Sequence, residues 1–170
     1  MSILRITRHG EVVLRKVAKP VTDLGPEIQK LIADMYETMY DAQGVGLAAP
    51  QVGVGLRLAV VNVTPEKRRT QFVMINPKIV KREGRIDSDE GCLSLPNVGG
   101  AIIKRAEKVT VEALNEKGLP IVITGDGLLA RCLQHEIDHL DGKLIYNRAP
   151  LKRRLQMSWA IRRLKKVGLW

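Results

Sequence analysis

The segment His135-Glu136-Ile137-Asp138-His139 constrains the fold of this chain more than any other stretch. It holds two of the three histidines in a sequence of 170 residues, set four apart, with a glutamate directly after the first. On an α-helix a four-residue step turns through about 400°, so the two imidazoles project within roughly 40° of each other. They can then bind one metal ion, with Glu136 in reach of a water at that ion. The spacing predicts a helix that carries a hydrolytic metal site.

The neighbouring residues favour a helix at this position. Asp126 is a candidate N-cap, residues 127–133 place apolar side chains at three- and four-residue spacing, and Gly142 is a candidate helix stop. The alternative is a buried helix whose two histidines only satisfy backbone carbonyls. Because the motif is short, the choice depends on whether the chain offers a third ligand.

The rest of the sequence restricts where a third ligand can come from. A histidine six residues after His139 is excluded because Ile145 stands there, and no Asp or Glu follows Asp141. Cys132 shares the helix, but a metal between the histidines would lie about 7.5 Å further along the axis, whereas a thiolate must approach to about 2.3 Å. We therefore interpret Cys132 as a buried core residue. Cys92, in a glycine- and proline-flanked segment, can approach from another direction and leave one position open for water.

Three motifs resemble those of the peptide deformylases. They are EGCLS at 90–94, QHEIDHL at 134–140 and GVGLAAPQ at 44–51, in the family's order and at its usual separations. The resemblance extends from residues 13–21 to the last predicted helix. It implies a single catalytic domain over residues 1–170 that removes the formyl group from the N-terminal formyl-methionine of newly made polypeptides and releases formate.

The resemblance also implies the metal centre and the acid–base residue. Cys92, His135 and His139 would hold one divalent ion, whose bound water attacks the formyl carbon. Glu136 would act as general base and then as general acid. The family implies ferrous iron as the physiological metal in bacteria, with zinc, nickel or cobalt able to substitute, while a Cys-His-His set with water also suits zinc by coordination habit.

Further residues are assigned to the substrate by the same resemblance. Gln51 and the Leu93 backbone N–H would stabilise the oxyanion. Val45, Gly46 and Gly91 would bind the peptide in an extended pose. An apolar pocket for the methionine side chain is expected near residues 45, 128 and 132.

Orienting partners for the metal ligands are expected as well. The candidates are Glu90, Arg105 and Arg131, whereas His9 is expected at the surface. The segment 97–105 departs from the family's usual pattern, in which a glycine, a bulkier residue and a proline before the arginine are common. The resemblance therefore does not define peptide specificity beyond formyl-methionine.

The charge of the chain is strongly positive and unevenly distributed. The net charge is +10, and residues 143–170 contain nine Lys or Arg and no acid. This stretch is either a solvated helix face or a contact for a polyanion, which for an enzyme of nascent chains would be ribosomal RNA. No 18-residue apolar run and no signal peptide are visible, and two cysteines with different roles suit a reducing cytoplasm. We therefore expect a cytoplasmic protein without a membrane span.

The remaining patterns predict an α+β fold, with antiparallel sheets packed around the central HExxH helix between an N-terminal and a C-terminal helix. The N-terminal residues to 24 are expected to be irregular or extended. The predicted elements are a helix over 26–43, strands over 57–63 and 71–80 joined by a charged turn at 64–69, a hairpin of 108–114 and 119–124, and a basic C-terminal helix over about 150–167. Leu151, Leu155 and Trp159 are predicted to face inward on that last helix.

Other functions were weighed against the deformylase hypothesis. Residues 44–49 fit a dinucleotide fingerprint, but a helix precedes them and Pro50 follows, so no nucleotide cofactor is expected. Another HExxH peptidase or amidohydrolase would share the chemistry and differ in substrate. A basic RNA-binding protein with a structural metal would need a fourth protein ligand, and a cysteine protease using Cys92 would work without metal.

Overall fold

The computed structural model describes residues 2–64, 66–67 and 70–170, and this part of the chain forms seven β-strands and four α-helices. The α+β class predicted from the sequence is confirmed. In chain order the elements are α1 (Pro26–Asp41), β1 (Gly46–Ala48), β2 (Leu58–Val61), β3 (Phe72–Glu83), β4 (Ile86–Glu90), β5 (Ala101–Arg105), β6 (Lys108–Leu114), β7 (Pro120–Asp126), α2 (Gly127–Leu140), α3 (Ile145–Arg148) and α4 (Leu151–Lys166).

The strands pair antiparallel in two sheets. The larger sheet has the order β1-β2-β3-β6-β7, and the smaller one pairs β4 with β5. β3 is long enough to pair with β2 through its first residues and with β6 along most of its length. Register shifts in the β3–β6 pairing bend the long strand, as β-bulges do. The three-residue β1 lies at one edge of the larger sheet.

Helices α1 and α2 cover opposite faces of the larger sheet. Successive side chains of a strand point to opposite faces. On β2, Ala59 and Val61 pack with the apolar face of α2, while Leu58 and Val60 pack with α1. Nine of the fourteen residues of α2 are buried. The helix that carries the two histidines is therefore mostly buried.

A third apolar cluster joins the smaller sheet to the C-terminal helices. Val98 and Ile103 pack there against Ile145 of α3 and against Met157 and Ile161 of α4. This cluster fixes α4 beside the segment that follows Cys92.

The predicted elements are largely confirmed, with shifted ends. α1 ends at Asp41 rather than Gln43 and buries one apolar face against the sheet. The hairpin forms around a turn in which Asn115 accepts two backbone N–H bonds. The predicted charged turn at 64–69 includes Pro65, Arg68 and Arg69, which lie outside the described residues. Sequence reasoning did not predict β1, β4, β5, α3 or the 3-10 helix Val12–Arg15.

The ends of α2 confirm one prediction and correct another. Gly142 follows the helix with φ +70°, and a Cβ there would lie 2.8 Å from the Arg15 carbonyl oxygen, so this position requires glycine. Asp126 stands at the N-cap position, but its side chain makes no capping hydrogen bond.

The prediction for the inward face of α4 was wrong. Leu151, Leu155 and Trp159 are 69%, 60% and 64% exposed, and the buried side chains of the helix are Met157 and Ile161. The helix carries two apolar stripes at helical spacing, and only the third cluster determines which one faces inward. Neither α4 nor any other helix in the described ranges is long and apolar enough to cross a membrane.

Candidate metal centre

Three potential ligand atoms converge at one point of the structure. His135 and His139 present Nε2 atoms 3.2 Å apart, and the Cys92 Sγ lies 3.4 Å from the His139 Nε2. All three atoms lie within 4.8 Å of one another. A tetrahedral site with bonds of about 2.0–2.3 Å places its ligand atoms roughly 3.3–3.8 Å apart, so the donor set fits a single small ion. Cys92 reaches the two histidines from outside α2, in the turn after β4.

The electrostatics of the cluster also fit a cation. Burial by itself would lower the pKa of His135, yet the Cys92 thiol and the Glu90 carboxylate raise it well above its ordinary value. Burial and then the neighbouring His135 hold the pKa of His139 well below its ordinary value. The surroundings of the cluster therefore favour positive charge on His135 but disfavour it on His139. A divalent ion between the three donors would satisfy this preference.

Glu136 is a buried carboxylate, and one of its oxygens has no hydrogen-bond partner among the described residues. It is 3% exposed, and its Oε2 makes no hydrogen bond within the described part of the chain. Burial raises its pKa to about 7, with His135 lowering it and Glu90 raising it in smaller measure. Gly46 of β1 makes room for this side chain, because a Cβ there would collide with the Glu136 Oε1 and come within 2.7 Å of the Cys132 Sγ.

A charged network orients one of the histidines. The Glu90 Oε2 lies 2.9 Å from the His135 Nδ1, and Arg105 donates to both Glu90 oxygens at 2.8 and 2.9 Å. Arg105 also donates to Asp138 at 2.6 Å, and Arg148 binds the same carboxylate. A proton on Nδ1 held by Glu90 leaves the Nε2 lone pair toward the ligand cluster.

The structure decides between the three predicted orienting partners. Glu90 and Arg105 take that role, while Arg131 does not, because its Nε donates to the Gly127 carbonyl oxygen and its side chain lines the cavity. Burial alone would raise the pKa of Glu90, but hydrogen bonds from Arg105 and His135 lower it to about 2. Glu90 is therefore ionised near neutral pH.

The turn after β4 and the 3-10 helix Ala49–Val52 bring Gln51 beside Cys92. Gln51 is 1% exposed, and its Oε1 accepts the Ala48 backbone N–H at 2.9 Å. Its Nε2 then points toward the Ser94 Oγ at 3.4 Å and the Cys92 Sγ at 3.9 Å. His9, expected at the surface, is instead half-buried against Tyr146, and its backbone N–H donates to the Ser94 carbonyl oxygen.

A cavity of about 670 Å³ opens onto this cluster. Its walls include every site residue predicted from the sequence except His139, which is completely buried behind the others. These residues are Val45, Gly46, Gln51, Gly91, Cys92, Leu93, His135 and Glu136. Leu128 and Cys132, expected near the methionine pocket, line the same cavity. Cys132 is 5% exposed and packs in the core around α2, which confirms its interpretation as a core residue.

Some residues of the site were not predicted. Asp138 and Arg148 extend the orienting network, and Gln134 ties α2 to both backbone groups of Ala106 at 2.9 Å. Asp138 and Gln134 stand inside the QHEIDHL motif, so their position was a usable signal. Arg148 had none, because its contact depends on how α3 packs.

A thiol, two imidazoles one helical turn apart and a buried carboxylate on the same helix define the active-site class of the HExxH metallohydrolases. The model of the polypeptide deformylase family matches residues 3–155. The chain belongs to this family.

Individual relatives and solved structures agree with this assignment. A peptide deformylase of Thermodesulfovibrio yellowstonii is 51% identical over 157 residues, covering 91% of this chain and 94% of the relative. One of Acidobacterium capsulatum is 45% identical over the full length of both chains. The crystal structure of a Legionella pneumophila peptide deformylase is 47% identical, with a TM-score of 0.93 and 98% of each chain covered.

Proposed function

We propose that this protein is a metal-dependent peptide deformylase. It hydrolyses the formyl amide of N-terminal formyl-methionine on newly made polypeptides and releases formate. The observation that carries the proposal is the convergence of Cys92, His135 and His139 beside the buried Glu136. Membership of the polypeptide deformylase family gives the reaction class.

Cys92, His135 and His139 would hold one divalent ion, which supplies a Lewis acid that polarises the formyl carbonyl and acidifies a water molecule. We propose ferrous iron as the physiological metal, with zinc, nickel or cobalt as substitutes. The family resemblance supports iron, while thiolate and imidazole donors alone would suit zinc equally well.

Glu136 is proposed to move the proton. Its carboxylate accepts a proton from the attacking water and donates it to the nitrogen of the leaving amine. Two properties support this role: the carboxylate is buried at the cavity, and burial raises its pKa to about 7, close to the pH at which a general base and acid works best.

Gln51 and Leu93 are proposed to stabilise the oxyanion. The Gln51 Oε1 is held by the Ala48 N–H, so its amide N–H groups face Cys92 and Ser94. Leu93 lines the cavity directly after the ligand cysteine, which suits its backbone N–H to the same oxygen. Donors fixed before the reaction stabilise developing charge without reorganising.

The peptide is proposed to bind between the two sheets in an extended conformation. Gly46 begins the edge strand β1, and Val45 directly precedes it. Gly91 directly follows β4. Both walls of the cavity therefore offer backbone groups. An extended peptide pairs with such edges through its main chain. Leu128 and Cys132 give the adjoining surface an apolar character that fits a methionine side chain.

Formate release and metal removal test the proposal together. Chelator-treated protein is expected to lose formate release from formyl-Met-Ala by at least about 100-fold and to regain it when ferrous iron is added without oxygen. Acetyl-Met-Ala serves as the control substrate, because its cleavage releases no formate. Full activity after metal removal would instead support a cysteine protease, and cleavage of internal peptide bonds without formate would support another HExxH peptidase.

We further propose that α4 contacts the ribosome and that the enzyme acts in the cytoplasm, where nascent chains are made. The outward face of α4 carries Leu151, Leu155 and Trp159 at four-residue spacing, all more than half exposed. Residues 143–170 add nine Lys or Arg and no acid. An apolar stripe within a basic surface suits a partner that combines RNA with protein.

Co-sedimentation with ribosomes tests this contact. The paired change Leu155→Ser and Trp159→Ser is expected to reduce binding about tenfold, since it removes exposed apolar area only. Formate release from formyl-Met-Ala should not change, and Arg82→Glu on β3 serves as a control for charge elsewhere. Binding that is equal in the parent and the paired variant, or that does not weaken with salt, would contradict the proposed surface.

A further inference from the structure

One wall of the cavity is a short loop of unusual backbone. Loop 97–100 follows the turn that carries Cys92, and Asn97, Gly99 and Gly100 line the cavity. Asn97 and Gly99 have φ values of +60° and +80°. A Cβ on Gly100 would lie 2.8 Å from the Glu90 carbonyl oxygen, so the loop is seated against the end of β4. Two consecutive glycines leave such a loop with many accessible conformations unless other contacts restrict it.

An arginine of α4 supplies such contacts. The Arg153 Nε donates to the Gly100 carbonyl oxygen at 2.8 Å, and its Nη2 donates to the Val98 carbonyl oxygen at 3.2 Å. A Cβ on Gly99 would lie 2.9 Å from the same Nη2. The absence of a side chain at position 99 therefore makes room for the guanidinium. A planar guanidinium can bind two carbonyl groups at once, which the single ammonium of lysine does less well.

The loop is not held by Arg153 alone. Val98 is 6% exposed and packs in the apolar cluster with Met157 and Ile161 of α4. Arg153 and this cluster thus attach the same helix to the same loop, one through the backbone carbonyls and the other through a side chain. The apolar contact fixes the distance between helix and loop. The guanidinium fixes the orientation of the two peptide groups that follow Val98 and Gly100.

We infer that Arg153 is a positioning residue for the peptide cleft, and that it sets the conformation of loop 97–100 that binds the substrate beyond its formyl-methionine. The inference rests on the proposed function and deepens it. A cavity of about 670 Å³ has the size of a whole ligand site and exceeds what a single residue fills. The hydrogen bonds of the Arg153 side chain go to Val98, Gly100 and Gln156 and not to the reacting groups. Its effect therefore falls on the affinity for longer peptides and not on the chemical step.

Kinetics with two substrate lengths test the inference. Formate release is measured for formyl-Met-Ala and for formyl-Met-Ala-Ala-Ala with the parent protein and with Arg153→Met. For the tetrapeptide we expect KM to rise about five- to tenfold with kcat within about twofold, as the loss of two loop-ordering hydrogen bonds predicts. For the dipeptide both constants should stay within about twofold. Arg153→Lys should lie between the parent and Arg153→Met.

The controls separate positioning from general destabilisation. Arg82→Met on β3 removes an exposed arginine and should match the parent on both substrates. Equal losses on both substrates, with a lowered Tm, would overturn the inference, as would unchanged KM for the tetrapeptide in both Arg153 variants. If Arg153→Met does not fold, Arg153→Lys provides the test. A rise in its KM for the tetrapeptide, without a rise for the dipeptide, would support the inference. Failure of the parent to release formate from the dipeptide would instead overturn the proposed function.

Discussion

Replacing Glu136 by alanine or glutamine is expected to lower kcat/KM for formyl-Met-Ala by about 10²–10⁴-fold, the usual contribution of a general acid–base group. The carboxylate directly follows His135 in the sequence, and it lines the cavity without belonging to the Cys92, His135 and His139 cluster. The loss should therefore appear in formate release, while elemental analysis finds the same metal content as in the parent.

The glutamine variant also controls for folding. Burial raises the pKa of Glu136 from 4.5 to about 7, so the folded state holds a proton that the unfolded state releases between these values. Ionisation of the buried carboxylate thus destabilises the fold as the pH rises, and a neutral amide avoids this effect. The Tm of Glu136→Gln at pH 7 should be no lower than that of the parent. Retained turnover, or loss of metal together with turnover, would refute the role of Glu136 as base.

Arg105→Met is expected to destabilise the fold by about 3–5 kcal/mol, because it leaves two buried carboxylates without their shared cation. Arg105 is 5% exposed, and its guanidinium binds Glu90 and Asp138 at once. For a chain of this size the Tm should fall by roughly 6–20 °C. Metal affinity should also fall by about 10–100-fold, because Glu90 no longer holds His135 in one orientation.

Arg148→Met is the matched control for this change. Arg148 binds the same Asp138, but its side chain is 44% exposed and Asp138 keeps its bond to Arg105. The expected loss is about 1 kcal/mol or less. A loss as large as that of Arg105→Met would show that the network has no dominant member.

The pH dependence gives a second measurement of the same network. Arg105 and His135 lower the pKa of Glu90 from 4.5 to about 2, so the stabilisation is fully present above pH 4.5 and is lost as the pH falls toward 2. The stability difference between the parent and Arg105→Met should shrink over that window in urea titrations. A difference that stays constant down to pH 2 would contradict the pairing.

The three candidate ligands could be proposed from the sequence, because helix spacing places two of them together and exclusion of other residues points to the third. The four-residue spacing of His135 and His139 fixes their common face on any helix. Cys92 followed from the exclusion of Cys132 on helix geometry and from the absence of acids after Asp141. The β6–β7 hairpin and helix α1 were predictable for a similar reason. Turn residues and apolar periodicity determine structure within a few neighbouring positions of the sequence.

The inward face of α4 and the strands β4 and β5 depend on contacts between segments that are distant in the sequence. The periodicity of apolar residues does not predict such contacts. The inward face of α4 was predicted wrongly, because Leu151, Leu155 and Trp159 form as regular a stripe as the residues that are buried. Only the cluster with Val98 and Ile103 decides between the two stripes. The short strands β4 and β5 were missed for a related reason. Their alternation includes Glu90 and Arg105, two charged residues whose burial depends on ion pairs formed in the folded protein.

The placement of the three ligands also has a consequence for how the fold resists unfolding. Cys92 and His139 are 47 positions apart, and strands β5, β6 and β7 lie between them in the chain. An ion bound to both would cross-link the unfolded chain through a closed loop of that size, much as a disulfide does, and so reduce the entropy gained on unfolding. Metal content and Tm would then rise together, and the segment between the two residues would be the first region to gain protection from hydrogen exchange.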